Sequence, residues 1–340
     1  MTDYKNLKLI ATSNPHIRNN ETTRSIMLDV MIAMLPALIW AVIIFGLKAL
    51  TLTVVSVVGC MFWEWLYRKL LKKPQSVGDL SAAVTGMLLA FVCPVTTPYW
   101  MILIGGFFSI IVVKQLFGGI GKNFVNPALA GRAFLLGSYA GVMTSWIDPA
   151  MNKAPLFGST ADVVTHATPL LYMKGGDMEG LKAAYSVTDM FLGKTGGSMG
   201  EISALLLIIG GAYLIWRKVI NWQTPVAYIA TVAVLTFLFP KAGGNLEWML
   251  YSIFGGGVML GAFFMATDYV TSPTTNKGKL VFGIGLGIIT CAIRFLGTMN
   301  EGVSFAILLM NLLVPYIEIL TRQDRLGIAK AKAKKEGAAK

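Results

Sequence analysis

Long apolar runs separated by short polar breaks dominate this chain, and their length is that of helices crossing a bilayer. In the first half they occupy residues 25–45, 50–66, 99–113 and 128–143. In the second half they recur at 202–216, 225–239, 248–266, 280–296 and 303–320. About 20 apolar residues at 1.5 Å rise cross a hydrocarbon layer roughly 30 Å thick, with tilt and shortening allowed. One run departs from this length. Residues 80–91 are too few for a comfortable crossing and give way to Cys93-Pro94-Val95-Thr96-Thr97-Pro98. A half-length helix is tolerated at membrane depth only where it is buried in protein or lines a site. The pattern predicts an all-α polytopic membrane protein of about ten transmembrane helices, some of them interrupted.

The longest polar interval, 144–200, divides the chain into a first membrane half (25–143) and a second (201–321), between a polar arm (1–24) and a basic tail (322–340). At 57 residues the interval exceeds an ordinary connection and is expected to carry function. No cleavable signal peptide is visible, because residues 1–24 are polar and the first apolar run is long enough to span. Composition agrees. Of 340 residues 55% are hydrophobic and 14% charged, with a mean hydropathy of +0.65, too little charged surface for a water-soluble globule.

The net charge of +12 raises nucleic acid as a partner, but its distribution points to membrane orientation. Starting inside and crossing ten times places Arg68, Lys69, Lys72, Lys73, Lys114, Lys122, Arg217, Lys218, Lys277, Lys279 and the tail lysines in the cytoplasm. The outside turns keep Lys48 and Lys241, and the interval 144–200 faces out with Lys153, Lys174, Lys182 and Lys194.

An internal echo suggests two related halves. Met87-Leu88-Leu89-Ala90-Phe91 followed by Pro94 to Pro98 pairs with Met259-Leu260-Gly261-Ala262-Phe263 followed by Val270-Thr271-Ser272-Pro273, and Arg132-Ala133-Phe134-Leu135 with Arg294-Phe295-Leu296. Five spans per half would make the two copies an inverted repeat, with a site at the shared axis framed by 94–98, 123–132 and 267–273.

Candidate chemistry lies in three places. In the polar interval, Asp162-Val163-Val164-Thr165-His166-Ala167-Thr168-Pro169-Leu170 places Thr before Pro at the start of a short helix, with Leu170, Leu171 and Met173 available to pack it. The threonine either caps that turn or stands with backbone donors beside a bound phosphate. Asn123 and Asn126 enter the fifth span in Gly-rich surroundings, followed by Arg132, and are either turn residues or amides presented to a polar ring. Asp268, in Met265-Ala266-Thr267-Asp268-Tyr269-Val270-Thr271-Ser272-Pro273, either meets water and a lysine or belongs to a pocket. Asp29 and Arg294 lie inside apolar runs and are expected to face protein, since an ion in lipid costs about 3 kcal/mol or more, although Asp29 sits near enough to an end to snorkel. Glu64 reads as an interfacial partner of Arg68 or Lys69. Cys60, Cys93 and Cys291 read as small core residues, and two distant histidines, His16 and His166, argue against a histidine metal site.

Three of these words together resemble a known family. Asp162 with Thr165-His166-Ala167-Thr168 is similar to the Asp-x-x-Ser/Thr-x-Ala-Thr flavinylation motif. Asn123-Phe124-Val125-Asn126-Pro127-Ala128-Leu129-Ala130-Gly131-Arg132-Ala133-Phe134 resembles a second signature and Met265-Ala266-Thr267-Asp268 a third. They belong to the membrane family shared by the D subunit of the Rnf complex and the B subunit of the sodium-pumping NADH:quinone reductase, and the likeness runs along nearly the whole chain. The resemblance implies FMN joined to Thr168 by a phosphoester, attached by a flavin transferase on the outer face. It also implies a second, noncovalent flavin, riboflavin, in the membrane part, placed against Asn123, Asn126 and Thr267, Asp268 and Tyr269. Family members often carry Gly where His166 stands.

A short N-terminal arm favours the Rnf branch, whose complex couples electron flow between ferredoxin and NAD to translocation of sodium ions or protons across the bacterial or archaeal inner membrane. The implied partners are a covalently flavinylated G subunit, the C subunit and the iron–sulfur-bearing A/E membrane pair. The quinone-reductase B subunit and, from another class, a solute channel or transporter are the alternatives.

Overall fold

The computed structural model describes residues 21–147, 155–156, 168–297 and 301–322. Asp162, Thr165, His166 and Ala167, with most of the arm and the tail, lie outside the described residues.

The first half begins with α1 (Thr23–Phe45), started by a capping box in which Thr22 and Ser25 exchange side chain-to-backbone bonds. Gly46, at φ 86°, turns the chain directly into α2 (Leu47–Leu70). Then come α3 (Ser81–Phe91) and α4 (Tyr99–Phe107), which runs on as a wider π-helical stretch over Phe108–Gln115. α5 (Pro127–Ser138) and the single turn α6 (Ala140–Met143) close the half. Three short helices come next in the polar interval: α7 (Pro169–Gly175), α8 (Met178–Ala184) and α9 (Val187–Leu192). The second half contains α10 (Ala204–Trp216), α11 (Gln223–Leu238), α12 (Asn245–Phe254), α13 (Val258–Leu260) with a π-helical extension over Gly261–Met265, α14 (Asn276–Leu296) and α15 (Val303–Thr321).

The fold is all-helical. α1, α2, α14 and α15 are long and apolar enough to cross a membrane, and α12 with the extended α13 would make a fifth crossing. The remaining apolar helices have 10–17 residues, so helix length alone does not establish ten crossings. Two spans read as continuous are not. Residues 248–266 bend by 60° at Gly255-Gly256-Gly257, where Gly256 and Gly257 adopt φ of 65° and 72°, open to glycine but strained for other residues. Residues 128–143 yield a helix only to Ser138 before the chain turns again. The short third run is as expected, with every residue of α3 buried.

Polarity is arranged inside out. α1 turns Leu28, Ile32, Leu35, Ile39 and Ile43 outward at helical spacing, and α2 turns out Val54, Val58, Phe62 and Trp65. Asp29, Glu64, Lys114, Arg132 and Arg294 are buried. In water this would expose an apolar patch that soluble monomers avoid; in lipid it is the expected surface. Close helix approach fixes the interior. A Cβ on Gly86 of α3 would lie 2.7 Å from the Ser56 carbonyl of α2, and Ser56 Oγ donates to the Gly86 carbonyl at 2.6 Å. All three cysteines are buried and free.

The buried ions find partners. Asp29 accepts from Tyr213 at 3.0 Å and from Arg217 at 3.0 and 3.2 Å, joining α1 to α10 and its end. Glu64 has its expected partner in Arg68, whose Nε is 3.9 Å away, but it is fully enclosed and stands nearer to Lys114 Nζ, at 2.9 Å.

Candidate functional site

The polar residues collect at opposite ends of the bundle. At one end, Thr168 precedes Pro169, the first residue of α7, in extended geometry (φ −70°, ψ 154°). Its carbonyl accepts from Leu171 N at 2.9 Å, but its side chain makes no capping bond. The expected hydroxyl cap is therefore not formed, because Pro169 removes one donor and the first turn bonds to the backbone oxygen instead. Leu170 and Met173 pack α7 down as expected, whereas Leu171 is exposed.

Beneath Thr168 is a cleft of about 30 Å³, room for a water-sized group. Thr195, Gly196, Gly197, Glu201, Gly255, Gly256 and Glu301 line it. Burial pushes the Glu201 carboxyl up to about 8, and the Glu301 carboxylate adds to the rise while Arg132 and Arg294 oppose it. Two arginines hold the floor. Arg132 donates from Nε to the Val92 carbonyl at 2.9 Å, and its other nitrogens reach Ser304 Oγ and the Glu301 carboxylate. Arg294 donates to the carbonyls of Ser252 (2.6 Å), Gly255 and Gly256 (both 3.1 Å) and Glu301 (3.3 Å). The Val92, Ser252, Gly255 and Gly256 carbonyls sit where α3 and α12 end, so each buried guanidinium satisfies a helix terminus that lipid could not.

At the other end, α1, α3, α5, α10 and the chain after α13 enclose a cavity of about 280 Å³. Its walls are mostly apolar, from Met27, Val84, Leu88, Phe263 and Phe264, with Lys114, Asn123, Thr267 and Asp268 as polar points. That size is near the lower end of small-molecule sites, roughly 300–1,000 Å³. Burial holds the Asp268 carboxyl above the usual range, and the Thr271 hydroxyl, donating at 3.1 Å, opposes the shift.

Asn123, Asn126, Thr267, Asp268 and Tyr269 all border this one cavity, although the last three lie more than 130 residues from the first two. Arg132 does not; it belongs to the Thr168 end. The two asparagines also have work in the fold. Asn126 caps α5, accepting from Ala128 N at 3.0 Å, and donates to the Met265 carbonyl at 3.3 Å; Asn123 donates to the Val125 carbonyl at 3.1 Å. Thr267 donates back to Phe263 O at 2.7 Å, and Tyr269 Oη to the Val219 carbonyl. α5 thus ties the end of α13 through Asn126 and the end of α3 through Arg132.

A model of the NQR2, RnfD, RnfE family matches residues 10–327. The chain belongs to this family. Among its relatives, the D subunit of the Na(+)-translocating ferredoxin:NAD(+) oxidoreductase complex of Acetobacterium woodii is 47% identical over 96% of this chain and 98% of its own length. The D subunit of the proton-translocating ferredoxin:NAD(+) oxidoreductase complex of Clostridium ljungdahlii is 40% identical over 95% and 97%. The D subunit of the ion-translocating oxidoreductase complex of Actinobacillus succinogenes is 38% identical over 93% and 97%.

Several residues of this family member's two sites escape sequence reasoning. Lys114 reads as a cytoplasmic marker closing the fourth run, yet it is buried on the cavity wall. Glu201 and Glu301 stand at helix boundaries, where acids are ordinary. Asn311, alone among apolar neighbours in α15, gives a readable signal. With its amide nitrogen turned to the Thr271 and Ile307 carbonyls, its oxygen accepts from Asn126 N at 3.0 Å.

Proposed function

We propose that this chain is the D subunit of an Rnf-type ferredoxin:NAD oxidoreductase and serves it as a membrane flavoprotein. FMN would be held on Thr168 by a phosphoester and riboflavin, without a covalent bond, in the cavity at the opposite end. Ion translocation, the property for which the relatives are named, belongs to the assembled complex. The observation that carries the assignment is the near full-length kinship with D subunits of ferredoxin:NAD(+) complexes.

The geometry fits both groups. Thr168 offers a hydroxyl with no capping duty next to a polar cleft, and the distribution of lysines supports an outward-facing position for it. The cavity offers apolar walls for a tricyclic ring and a few polar side chains for its edge. Flavins supply one- and two-electron transfer; the protein's contribution is position and charge. Around Thr168 that contribution is a hydroxyl free of capping duty above two buried carboxyls, Glu301 paired with Arg132 and Glu201 held in its neutral form by burial. At the cavity it is mostly apolar walls with a lysine and an aspartate among the few polar side chains. The succession of apolar helices from α1 to α5 and again from α10 to α15, with a short buried helix third in the first half and a broken one third in the second, supports ten crossings in two inverted repeats.

Thr168→Ala tests the covalent site. Membranes of a flavinylation-competent host should lose the in-gel fluorescent band of this subunit and the flavin mass on its Thr168 peptide, while the chain still inserts. An undiminished band would reject the assignment. Ferredoxin-dependent NAD reduction by the purified complex distinguishes the Rnf branch from a quinone reductase, which would reduce quinone instead.

A further inference from the structure

We propose that Lys114 is the flavin-facing cation of the inner cavity, holding its ammonium against the electron-accepting edge of the ring and setting the ring's potential. The inference rests on the reading that this cavity holds riboflavin. Lys114 is 3% exposed and, among the described lining residues, is the one cation beside one anion, Asp268. Its position comes from the π-helical stretch of α4, where Leu116 N reaches back to Ile111 O at 2.9 Å. One extra residue in a helical turn rotates the succeeding side chains by about 100°, which carries the lysine to the interior instead of a lipid-facing or interfacial position.

An ammonium has three donors. Two are engaged among the described residues, by Glu64 Oε2 at 2.9 Å and Ser81 Oγ at 2.6 Å. Ser81 itself lines the cavity, so the ammonium is held at the wall, and its third N–H remains for a ligand there. Glu64 is also approached by Arg68 Nε at 3.9 Å and accepts from Ser76, so Lys114 is not its sole counter-charge. A flavin ring gains negative charge over its N1–C2 carbonyl edge as it is reduced. A buried cation at that edge favours the reduced over the oxidised ring, and no bond is made or broken at the lysine.

The test uses the purified complex and two readouts: noncovalent riboflavin released by acid, and its midpoint potential by spectroelectrochemical titration, with the covalent flavin as internal reference. Lys114→Met should lower the riboflavin potential by about 59 mV or more, the one-electron equivalent of a tenfold preference, and leave the covalent flavin unmoved. Because Lys114→Met strips a buried partner from Glu64, the double variant Glu64→Gln with Lys114→Met removes both charges and should show a smaller fall in the same direction, since loss of the more distant anion offsets only part of the loss of the cation. Lys114→Arg should retain most of the wild-type potential. Loss of riboflavin from the Met variants, with covalent flavin retained and riboflavin restored by Arg, also supports the contact. Riboflavin present at unchanged potential in both Met variants overturns the role of Lys114. Wild-type complex without releasable riboflavin refutes instead the reading of the cavity.

Discussion

Arg132, Arg294, Glu201 and Glu301 are the residues whose protonation and pairing decide whether the Thr168 end holds together. A buried ion pair contributes little net stability when intact, but removing one member leaves a charge without a counter-ion, at a cost of about 3–5 kcal/mol. Arg132→Met should therefore lower the melting temperature of the detergent-solubilised complex sharply, since it also orphans the Val92 carbonyl. Arg132→Lys, with one point charge for three fork-like bonds, should recover only part.

Glu201 carries a distinct pH signature. Its folded-state carboxyl titrates near 8, far above the usual carboxylate value of 4.5, so the folded chain binds the proton more tightly than the unfolded one. Stability from this group is full below the unfolded value, falls as pH rises between about 4.5 and 8, and is flat above. Thermal melts from pH 6 to 9 should show that decline, and Glu201→Gln should flatten it. A decline of equal size in the variant would mean that other groups cause it.

At the level of elements, the long helices are legible because an apolar run of adequate length has few other homes. α1, α2, α14 and α15 fall within a few residues of their expected limits, and the abbreviated third run is recognisable from its length and its prolines. The bend between α12 and α13 is hidden because glycine is common in membrane helices and three in a row do not lower hydropathy enough to break a window. The inward turn of Lys114 is hidden for another reason: a lysine at the end of an apolar run marks an interface far more often than a core, and a π-helical turn leaves no composition signal. Of the cavity, the segments singled out in the sequence around Asn123, Asn126 and Thr267 to Tyr269 come together, but their division of labour is not legible, since Asn126 fastens α5 to α13 while Lys114 passes for an interfacial marker.

The fastening of α3 to α2 gives a test at this scale. Gly86→Val must push α3 off the α2 backbone, since its Cβ has Ser56 O and Val57 Cα 2.7 Å away. Overpacking of this kind costs about 1–3 kcal/mol. As Ser81, Val84 and Leu88 of α3 line the cavity, the proposed function requires the variant to lose releasable riboflavin before it loses the proposed covalent flavin on Thr168. Simultaneous loss of both would show that α3 supports the bundle as a whole.

For the whole molecule, the distribution of charge sets which end faces the cytoplasm. Arg68, Lys69, Lys72, Lys73, Lys114, Lys122, Arg217, Lys218, Lys277 and Lys279 belong to the turns and helix ends assigned to the cavity side. Lys48 and Lys241 serve the opposite turns, where Lys48 donates to the Leu156 carbonyl and Lys241 to that of Phe295. Short loops rich in lysine and arginine stay inside, so the cavity should open toward the cytoplasm and Thr168 toward the outside. The three native cysteines are buried, which leaves a quiet background for thiol labelling. Lys194→Cys, exposed beside α9, should react with a membrane-impermeant maleimide on intact cells; Lys73→Cys, exposed after α2, should react only once the cells are opened. The reverse pattern would turn the molecule over. Thr168 would then lie where an outward-acting flavin transferase never reaches it, and a covalent flavin there would need a cytoplasmic route of attachment.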